Sequence, residues 1–218
     1  MELHFDQELV QVRESLLRLS ALAEQSVAKG LKALVQRDAS LAHQVDADDT
    51  TLDQLEMEID ERCIELIALR QPKARDLRLL VMTMRIATEL ERIGDQAVNI
   101  AHSAEELIKE PPLKPLVDIP RMAEISQGMI RDALDAFVYE KPDLARQIIQ
   151  RDAQVDQLNR QLHRELTSFM VEDPGTITRS LNLMGVSHNL ERIADHVTNI
   201  AEEIVYLYEG RDIRHHHD

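Results

Sequence analysis

The amino-acid sequence predicts an all-α protein made of two tandem three-helix bundles that are related by an internal repeat. Long segments place apolar residues at helical spacing, and no segment alternates between apolar and polar residues as a half-buried strand does. The chain has only 6 glycines and no tryptophan among its 218 residues, and it is rich in good helix formers. Two distinctive segments also occur twice, about one hundred residues apart.

Apolar periodicity predicts three helices in the first half of the chain. The first covers about residues 6–37 and the second about residues 39–69. Because proline cannot continue a helix interior, Pro72 separates the second helix from the third, which runs to about residue 109. The apolar stripe of the first helix contains Leu9, Val12, Leu16, Leu19, Ala23, Val27, Leu31 and Leu34.

The second half repeats this plan after a proline-rich linker. The PPLKPL segment that begins at Pro111 cannot continue a helix. Three further helices are predicted over about residues 120–139, 143–171 and 177–208, with a turn at Pro174, and we expect the two halves to meet near the linker. The predicted organisation is a first three-helix bundle at residues 1–112, a second at residues 116–212 and a histidine-rich tail at residues 213–218.

The repeated segments keep acidic residues at fixed positions. LERIGDQAVNIA begins at Leu90 and returns as LERIADHVTNIA at Leu190, whereas DTTLDQLE begins at Asp49 and returns as DAQVDQLN at Asp152. Each copy carries two acidic residues four positions apart, which places both on one face of a helix. The eight candidate residues are Asp49, Asp53, Glu91 and Asp95 in the first half and Asp152, Asp156, Glu191 and Asp195 in the second.

Distances along the chain predict that the four acidic residues of each half lie together. Asp49 and Asp95 are equally far from Pro72 in sequence, and the same holds for Asp53 and Glu91. If Pro72 marks the turn of an antiparallel helical hairpin, residues at equal distances from the turn face each other. At about 1.5 Å per residue, these carboxylates lie roughly 28 Å from the turn. The same construction at Pro174 predicts a second cluster.

An acidic pair on the polar face of a helix is usually only solvated, but two repeated clusters require something that offsets their repulsion. Like charges four residues apart destabilise a helix by about 0.2–0.5 kcal/mol. The neighbouring Arg92 and Arg192 are a structural way to offset it. Multivalent cations are the functional way, because carboxylate oxygens suit magnesium, calcium and manganese, and iron also accepts them.

The second cluster is predicted to be less negative than the first. Asp46 and Asp48 add charge beside the first cluster, whereas Ile149 and Arg151 occupy the matching positions in the second. We therefore expect weaker or different metal loading there. His188 is a further possible ligand, with solvation as the simpler reading, and the asparagines that continue the acidic rows are weaker candidates. These are Asn99 and Asn199.

Composition limits the classes of partner and compartment. A formal net charge of −15 argues against a nucleic-acid-binding protein, which needs an excess of lysine and arginine. A single cysteine, Cys63, permits no internal disulfide and fits a reducing compartment. No signal peptide and no apolar run of about 18 residues is recognisable, so we expect a cytoplasmic protein that meets a membrane only through its partners.

The doubled D/E-x-x-x-D pattern and the paired LERI segments resemble the PhoU family of bacterial phosphate-uptake regulators over nearly the whole chain. This resemblance implies a cytoplasmic accessory protein of the phosphate-specific ABC transporter, with the transporter ATPase and a phosphate sensor histidine kinase as partners. It implies repression of the phosphate-starvation response when phosphate is plentiful, and a homodimer. It also implies divalent or multinuclear iron, zinc, manganese or magnesium. The ligands carried over are Asp49, Asp53, Glu91, Asp95, Asp152, Asp156, Glu191 and Asp195.

Three functional classes remain to be compared. The first is a non-enzymatic signalling adaptor with bound metals. The second is a carboxylate-bridged metal enzyme or metal-storage bundle, but such ferritin-like sites use Glu-x-x-His pairs that point into the bundle core. The third is a structural spacer, which leaves the eight repeated carboxylates without a purpose. Because we find no activated nucleophile or phosphate-cradling glycine loop, we expect an adaptor and no enzyme.

Overall fold

The computed structural model describes residues 2–213, and within that range it contains six α-helices, one short 3-10 turn and no strand. The prediction of an all-α fold is therefore confirmed. The predicted histidine-rich tail falls, from residue 214 onward, outside the described residues. The elements are α1 Glu2–Gln36, α2 Ala39–Arg70, α3 Ala74–Ile108, α4 Asp118–Val138, α5 Pro142–Glu172, the 3-10 turn Pro174–Thr176 and α6 Ile177–Glu209.

Most helix ends agree with the sequence pattern, and α4 differs for a simple reason. It begins at Asp118, two residues before Pro120. Proline is tolerated in the first helical turn because the amides there have no partner within the helix. The start of α2 is also fixed locally. This helix begins after Asp38, whose side chain accepts a hydrogen bond from the amide of Ser40 at 2.9 Å. This Asp38 contact is an N-cap that fixes where α2 starts.

The two hairpin turns lie where the prolines predict them. Pro72 is within the three-residue connection between α2 and α3, and Pro174 begins the 3-10 turn between α5 and α6. The predicted register of the first hairpin is also observed, since the Thr88 hydroxyl donates to the Glu56 carboxylate at 3.1 Å. These two residues are equally far from Pro72, as the hairpin construction requires.

The two halves pack side by side, and this corrects the expectation that they meet near the linker. Helices α3 and α6 run antiparallel and contact each other along most of their length. Arg85 of α3 lies 3.0 Å from Glu203 of α6, and Ser103 of α3 approaches Gly185 of α6. The reason is that α3 and α6 are apolar on more than one side, so neither can bury its surface within one bundle alone.

This seam has an approximate two-fold symmetry that follows from the repeat. The repeat offset of 100 residues makes Gly185 the counterpart of Arg85 and Ser103 the counterpart of Glu203. These two counterparts also lie against each other. One copy of the contact is an ion pair, whereas the other copy joins two small uncharged residues. The halves are therefore similar in backbone and unequal in charge along the seam.

A compensating pair of core residues shows how the two hairpins differ. Gly94 of α3 packs against the fully buried Leu52 of α2, and a Cβ at Gly94 would lie 2.7 Å from Leu52 Cδ1. In the second half, the matching positions hold the larger Ala194 and the smaller Val155, both fully buried. The volume missing from one helix is thus supplied by the other.

We predict that Gly94→Ala lowers the free energy of unfolding by about 1–3 kcal/mol, because the added methyl overpacks a filled core. Adding Leu52→Val should restore part of this loss, since the pair then matches the second half. The measurement is urea denaturation followed by circular dichroism.

Gly128→Ala in α4 is the control for this pair. A Cβ there has only arginine side-chain ends at 3.8 Å, so this change should stabilise the protein by about 0.5–1 kcal/mol. Equal losses for Gly94→Ala and the double variant would show that Leu52 does not set the space at Gly94.

Candidate metal sites

The first acidic cluster lies across the groove between α2 and α3. Asp49 and Asp53 are on α2, whereas Glu91 and Asp95 are on α3. The absence of a side chain at Gly94 lets the helices come close, because a Cβ there would lie 2.7 Å from Leu52 Cδ1 of α2. The groove is at the surface of the bundle, and both Asp53 and Asp95 are exposed.

Mutual repulsion is visible in the pKa values of this cluster. Burial, followed by the charges of Asp95 and Asp53, raises the pKa of Glu91 to about 7. Burial and the charges of Asp53 and Asp95 also raise the pKa of Asp49. Carboxylates disfavour each other's ionisation when they share one region of the surface. The four side chains therefore form one electrostatic unit.

The second cluster repeats this arrangement between α5 and α6. Asp152 and Asp156 are on α5, and Glu191 and Asp195 are on α6. Burial, followed by the charges of Asp195, Asp156 and Glu191, raises the pKa of Asp152 to about 6. Asp152 Oδ1 is also buried without a hydrogen-bond partner in the described part of the chain, which is costly for a carboxylate oxygen.

Cationic side chains offset the charge repulsion of the second cluster more than that of the first. Arg160 lies 3.2 Å from Asp156, and His188 Nδ1 lies 3.0 Å from Glu191. Among the described residues, no lysine, arginine or histidine forms a salt bridge with the four carboxylates of the first cluster. The sequence suggested Arg92 as a structural way to offset repulsion in the first cluster, but Arg92 pairs with Glu89 at 2.8 Å. Repulsion within the first cluster is therefore left without an arginine partner.

The donor chemistry of both clusters fits a hard cation, although the side chains do not yet converge. Each cluster offers carboxylate oxygens from two helices, and these suit magnesium, calcium, manganese or iron. In the positions they occupy within residues 2–213, no three histidine, cysteine, aspartate or glutamate side chains surround a common point. A cation would be held only after these side chains rotate towards each other. Their assignment as ligands stays a prediction.

The acidic row on α2 extends beyond the two residues predicted there, Asp49 and Asp53. Glu56 and Asp60 continue it at helical spacing, and burial raises the pKa of Asp60. Asn159 and His163 take the matching places on α5. The continued i, i+3, i+4 spacing was the signal that could have identified these two residues. The first groove is more acidic than the second over its whole length.

The structure removes Asn199 from the acidic row and assigns it to the seam between the halves. Its amide donates to Glu89 Oε2 at 3.0 Å, and His196 Nδ1 lies 2.8 Å from the same oxygen. Burial favours the neutral form of Glu89, but the hydrogen bonds from His196 and Asn199 outweigh it and lower the pKa of Glu89. The sequence pattern missed this contact because it joins residues more than one hundred positions apart.

Comparison with known proteins identifies the family. The family model described as PhoU domain matches residues 16–104 and, a second time, residues 119–204. The chain belongs to the PhoU family. A phosphate-specific transport system accessory protein PhoU homolog from Aquifex aeolicus is 42% identical over 210 residues, which cover 96% of this chain and 95% of the relative. The doubled match agrees with the internal repeat.

Solved PhoU structures share this fold. The crystal structure of PhoU from Pseudomonas aeruginosa has a TM-score of 0.92 and 40% identity, covering 95% of this chain and 100% of that chain. The crystal structure of the phosphate transport system regulatory protein PhoU from Streptococcus pneumoniae has a TM-score of 0.88 and 30% identity, covering 96% and 99% of the two chains. Across residues 2–213, none of the helices has the length and apolar character of a membrane span.

The raised pKa of Glu91 predicts how stability depends on pH in the absence of metal. The folded protein keeps the Glu91 proton until about pH 7, whereas the unfolded chain releases it near its ordinary value of 4.5. The folded state binds more protons in that window, so the free energy of unfolding should fall as pH rises from about 4.5 to about 7.

The measurement is urea denaturation in chelator at several pH values. Glu91→Gln should flatten the slope between these two pH values. The exposed Glu58 of α2 supplies the matched control, and Glu58→Gln should leave the slope unchanged. A slope that is the same in wild type and Glu91→Gln would contradict the electrostatic account of the first cluster.

Proposed function

We propose that this protein is a signalling adaptor that couples the phosphate-specific ABC transporter to a sensor histidine kinase and represses the phosphate-starvation response. The observation that carries this proposal is similarity along almost the entire chain to relatives named phosphate-specific transport system accessory protein. The transporter ATPase and the kinase are the proposed partners, the cytoplasm is the proposed compartment, and the working form is a homodimer.

The side-chain chemistry supports binding rather than catalysis. Burial raises the pKa of the Cys63 thiol to about 12, so this cysteine stays protonated and is a poor nucleophile. The buried Ser187 hydroxyl donates to Asn159 at 2.6 Å rather than to a general base. An adaptor without an activated nucleophile acts by changing which partner it binds.

The acidic clusters supply a way to make that binding conditional. Without a cation, each cluster repels anionic groups. A divalent ion held by these carboxylates would add a local positive charge and could accept carboxylate or carbonyl oxygens from a partner. Because both clusters lie at the bundle surface, a partner protein can reach them. Metal occupancy is therefore proposed to set the affinity for the partner.

A carboxylate-bridged metal enzyme or a metal-storage bundle is the alternative function, and the geometry favours it less. Ferritin-like sites are enclosed by the bundle core, whereas Asp53, Asp95 and Asp195 are exposed. An oxidase assay on the metal-loaded protein separates the two functions. Metal-dependent turnover well above that of free metal would favour the enzyme.

We predict that replacing the first cluster by amides removes its metal. The variant is Asp49→Asn, Asp53→Asn, Glu91→Gln and Asp95→Asn. Metal titration by calorimetry and elemental analysis of protein without an added affinity tag should show a lower stoichiometry, with the helical content retained. The melting temperature in chelator should rise, because like-charge repulsion is removed.

A second variant with the same change in charge is the control for that experiment. Glu14, Glu58, Glu61 and Glu172 are exposed and lie outside the cluster, and changing all four to glutamine should leave the metal stoichiometry unchanged. Equal metal binding by the cluster variant and wild type would show that the first site is wrongly assigned.

We predict that deletion of the gene derepresses phosphate-starvation genes in phosphate-rich medium. The purified protein should bind the cytoplasmic region of the kinase and should not hydrolyse phosphate esters. A reporter fused to a starvation promoter measures the first effect, and complementation with the wild-type gene is its control. Normal repression in the deletion strain would contradict the signalling role.

A further inference from the structure

A large cavity lies at the end of the molecule formed by the turn between α2 and α3. Its volume is about 900 Å³, which is within the range of small-molecule sites. Leu9, Leu79 and Leu207 supply apolar wall, and Tyr208 adds an aromatic ring. Arg78 and Glu91 are 13 positions apart on α3, which places the cavity about 20 Å from the first acidic cluster.

Three arginines from two helices surround this cavity in a chain of net charge −15. Arg13 belongs to α1, and Arg75 and Arg78 belong to the start of α3. Arg78 is held in place, because it stacks over the Tyr206 ring at 5.5 Å and approaches the Leu207 carbonyl oxygen at 3.5 Å. Three guanidinium groups are therefore brought together at one cavity, beside the carboxylates of Asp6, Asp76 and Glu140.

Glu140 is the residue that meets two of these guanidinium groups. Its carboxylate lies 3.6 Å from Arg13 and 3.4 Å from Arg75. Both distances exceed the usual 2.7–3.2 Å of a direct N–H···O hydrogen bond, so the carboxylate occupies the space between the arginines without binding tightly to either. An incoming anion would replace contacts that are weak.

The backbone that carries Glu140 is strained. Glu140 has a φ of 53° in the short turn between α4 and α5, a left-handed conformation that residues other than glycine, asparagine and aspartate seldom adopt. The turn is fixed on each side, since the Tyr139 amide bonds to Asp135 and the Lys141 amide bonds to Ala136, each at 2.9 Å. This strained turn holds a carboxylate at the mouth of an arginine-lined cavity.

We propose that this cavity binds a phosphorylated small molecule, whose phosphate group takes the place of the Glu140 carboxylate between Arg13 and Arg75. Planar guanidinium groups match phosphate oxygens and form charge-assisted hydrogen bonds with them. The nearby start of α3 adds to the attraction, because its N-cap Lys73 makes no side-chain hydrogen bond to the first amides. With Glu140 displaced, three arginines face two remaining carboxylates of the lining.

Those two carboxylates favour an organic ligand over inorganic phosphate. Asp6 and Asp76 also line the cavity, and they can accept hydrogen bonds from hydroxyl or amino groups on the body of a ligand. The leucines and Tyr208 cover its apolar part. A free phosphate ion would use only the arginines and would leave most of the 900 Å³ unfilled.

Calorimetric titration of the full chain in chelator, with ADP and glucose 6-phosphate as probes, tests the proposal without metal at the acidic clusters. We expect at least one probe to bind, and Arg75→Ala to weaken it about tenfold through loss of a charge-assisted contact. Glu140→Gln should tighten it by about the same factor, because the competing carboxylate is neutralised. Arg75 is 79% exposed in its side chain, so its removal should not disturb folding.

Arg164→Ala on the exposed face of α5 is the matched control, and it should bind the probe as wild type does. Equal affinity in wild type and Arg75→Ala would overturn the assignment to this cavity, and so would a Glu140→Gln variant that binds no more tightly. Absence of binding by both probes would overturn the ligand class. Inorganic phosphate that binds as tightly as the better probe would overturn the role of the organic body.

Discussion

The packing of α3 against α6 is the contact on which the rest of the molecule depends. These two helices belong to different bundles, yet each is buried both within its own bundle and against the other. Because their inner and seam-facing sides are both occupied, the remaining polar side of α3 must face the groove towards α2, and that of α6 the groove towards α5. This is why the carboxylates at Glu91 and Glu191 lie at the surface rather than inside a core.

The helices and hairpins could be predicted because their determinants are local. Apolar spacing marks each helix, and Pro72 and Pro174 mark the turns because proline lacks an amide hydrogen. Counting residues from Pro72 then predicts that Thr88 and Glu56 face each other, as they do. The side-by-side seam could not be predicted, since contacts such as Glu89 with His196 join residues that no local pattern connects.

Local sequence patterns predicted one part of the candidate sites, and tertiary contacts determined the rest. Spacing of four places each acidic pair on one face of its helix, and counting residues from the two prolines joins the four pairs into two clusters. The direction of a long side chain, in contrast, depends on neighbours from other helices. Asn199 turns to the seam for this reason, since its partner Glu89 belongs to α3. The strained conformation of Glu140 was equally hidden, because glutamate gives no sequence signal for a positive φ. Tertiary contacts, not helix periodicity, set these details.

The antiparallel run of α3 and α6 has a consequence for how the protein could connect the two proposed partners. The tip of the first hairpin lies beside the end of α6, where Arg78 meets Leu207, and the tip of the second lies beside the end of α3, where Arg179 meets Pro111. The tips thus point in opposite directions, separated by roughly the 50 Å length of a 35-residue helix. If the two proposed partners bind at opposite tips, the protein would hold each of them near the other and so raise its local concentration.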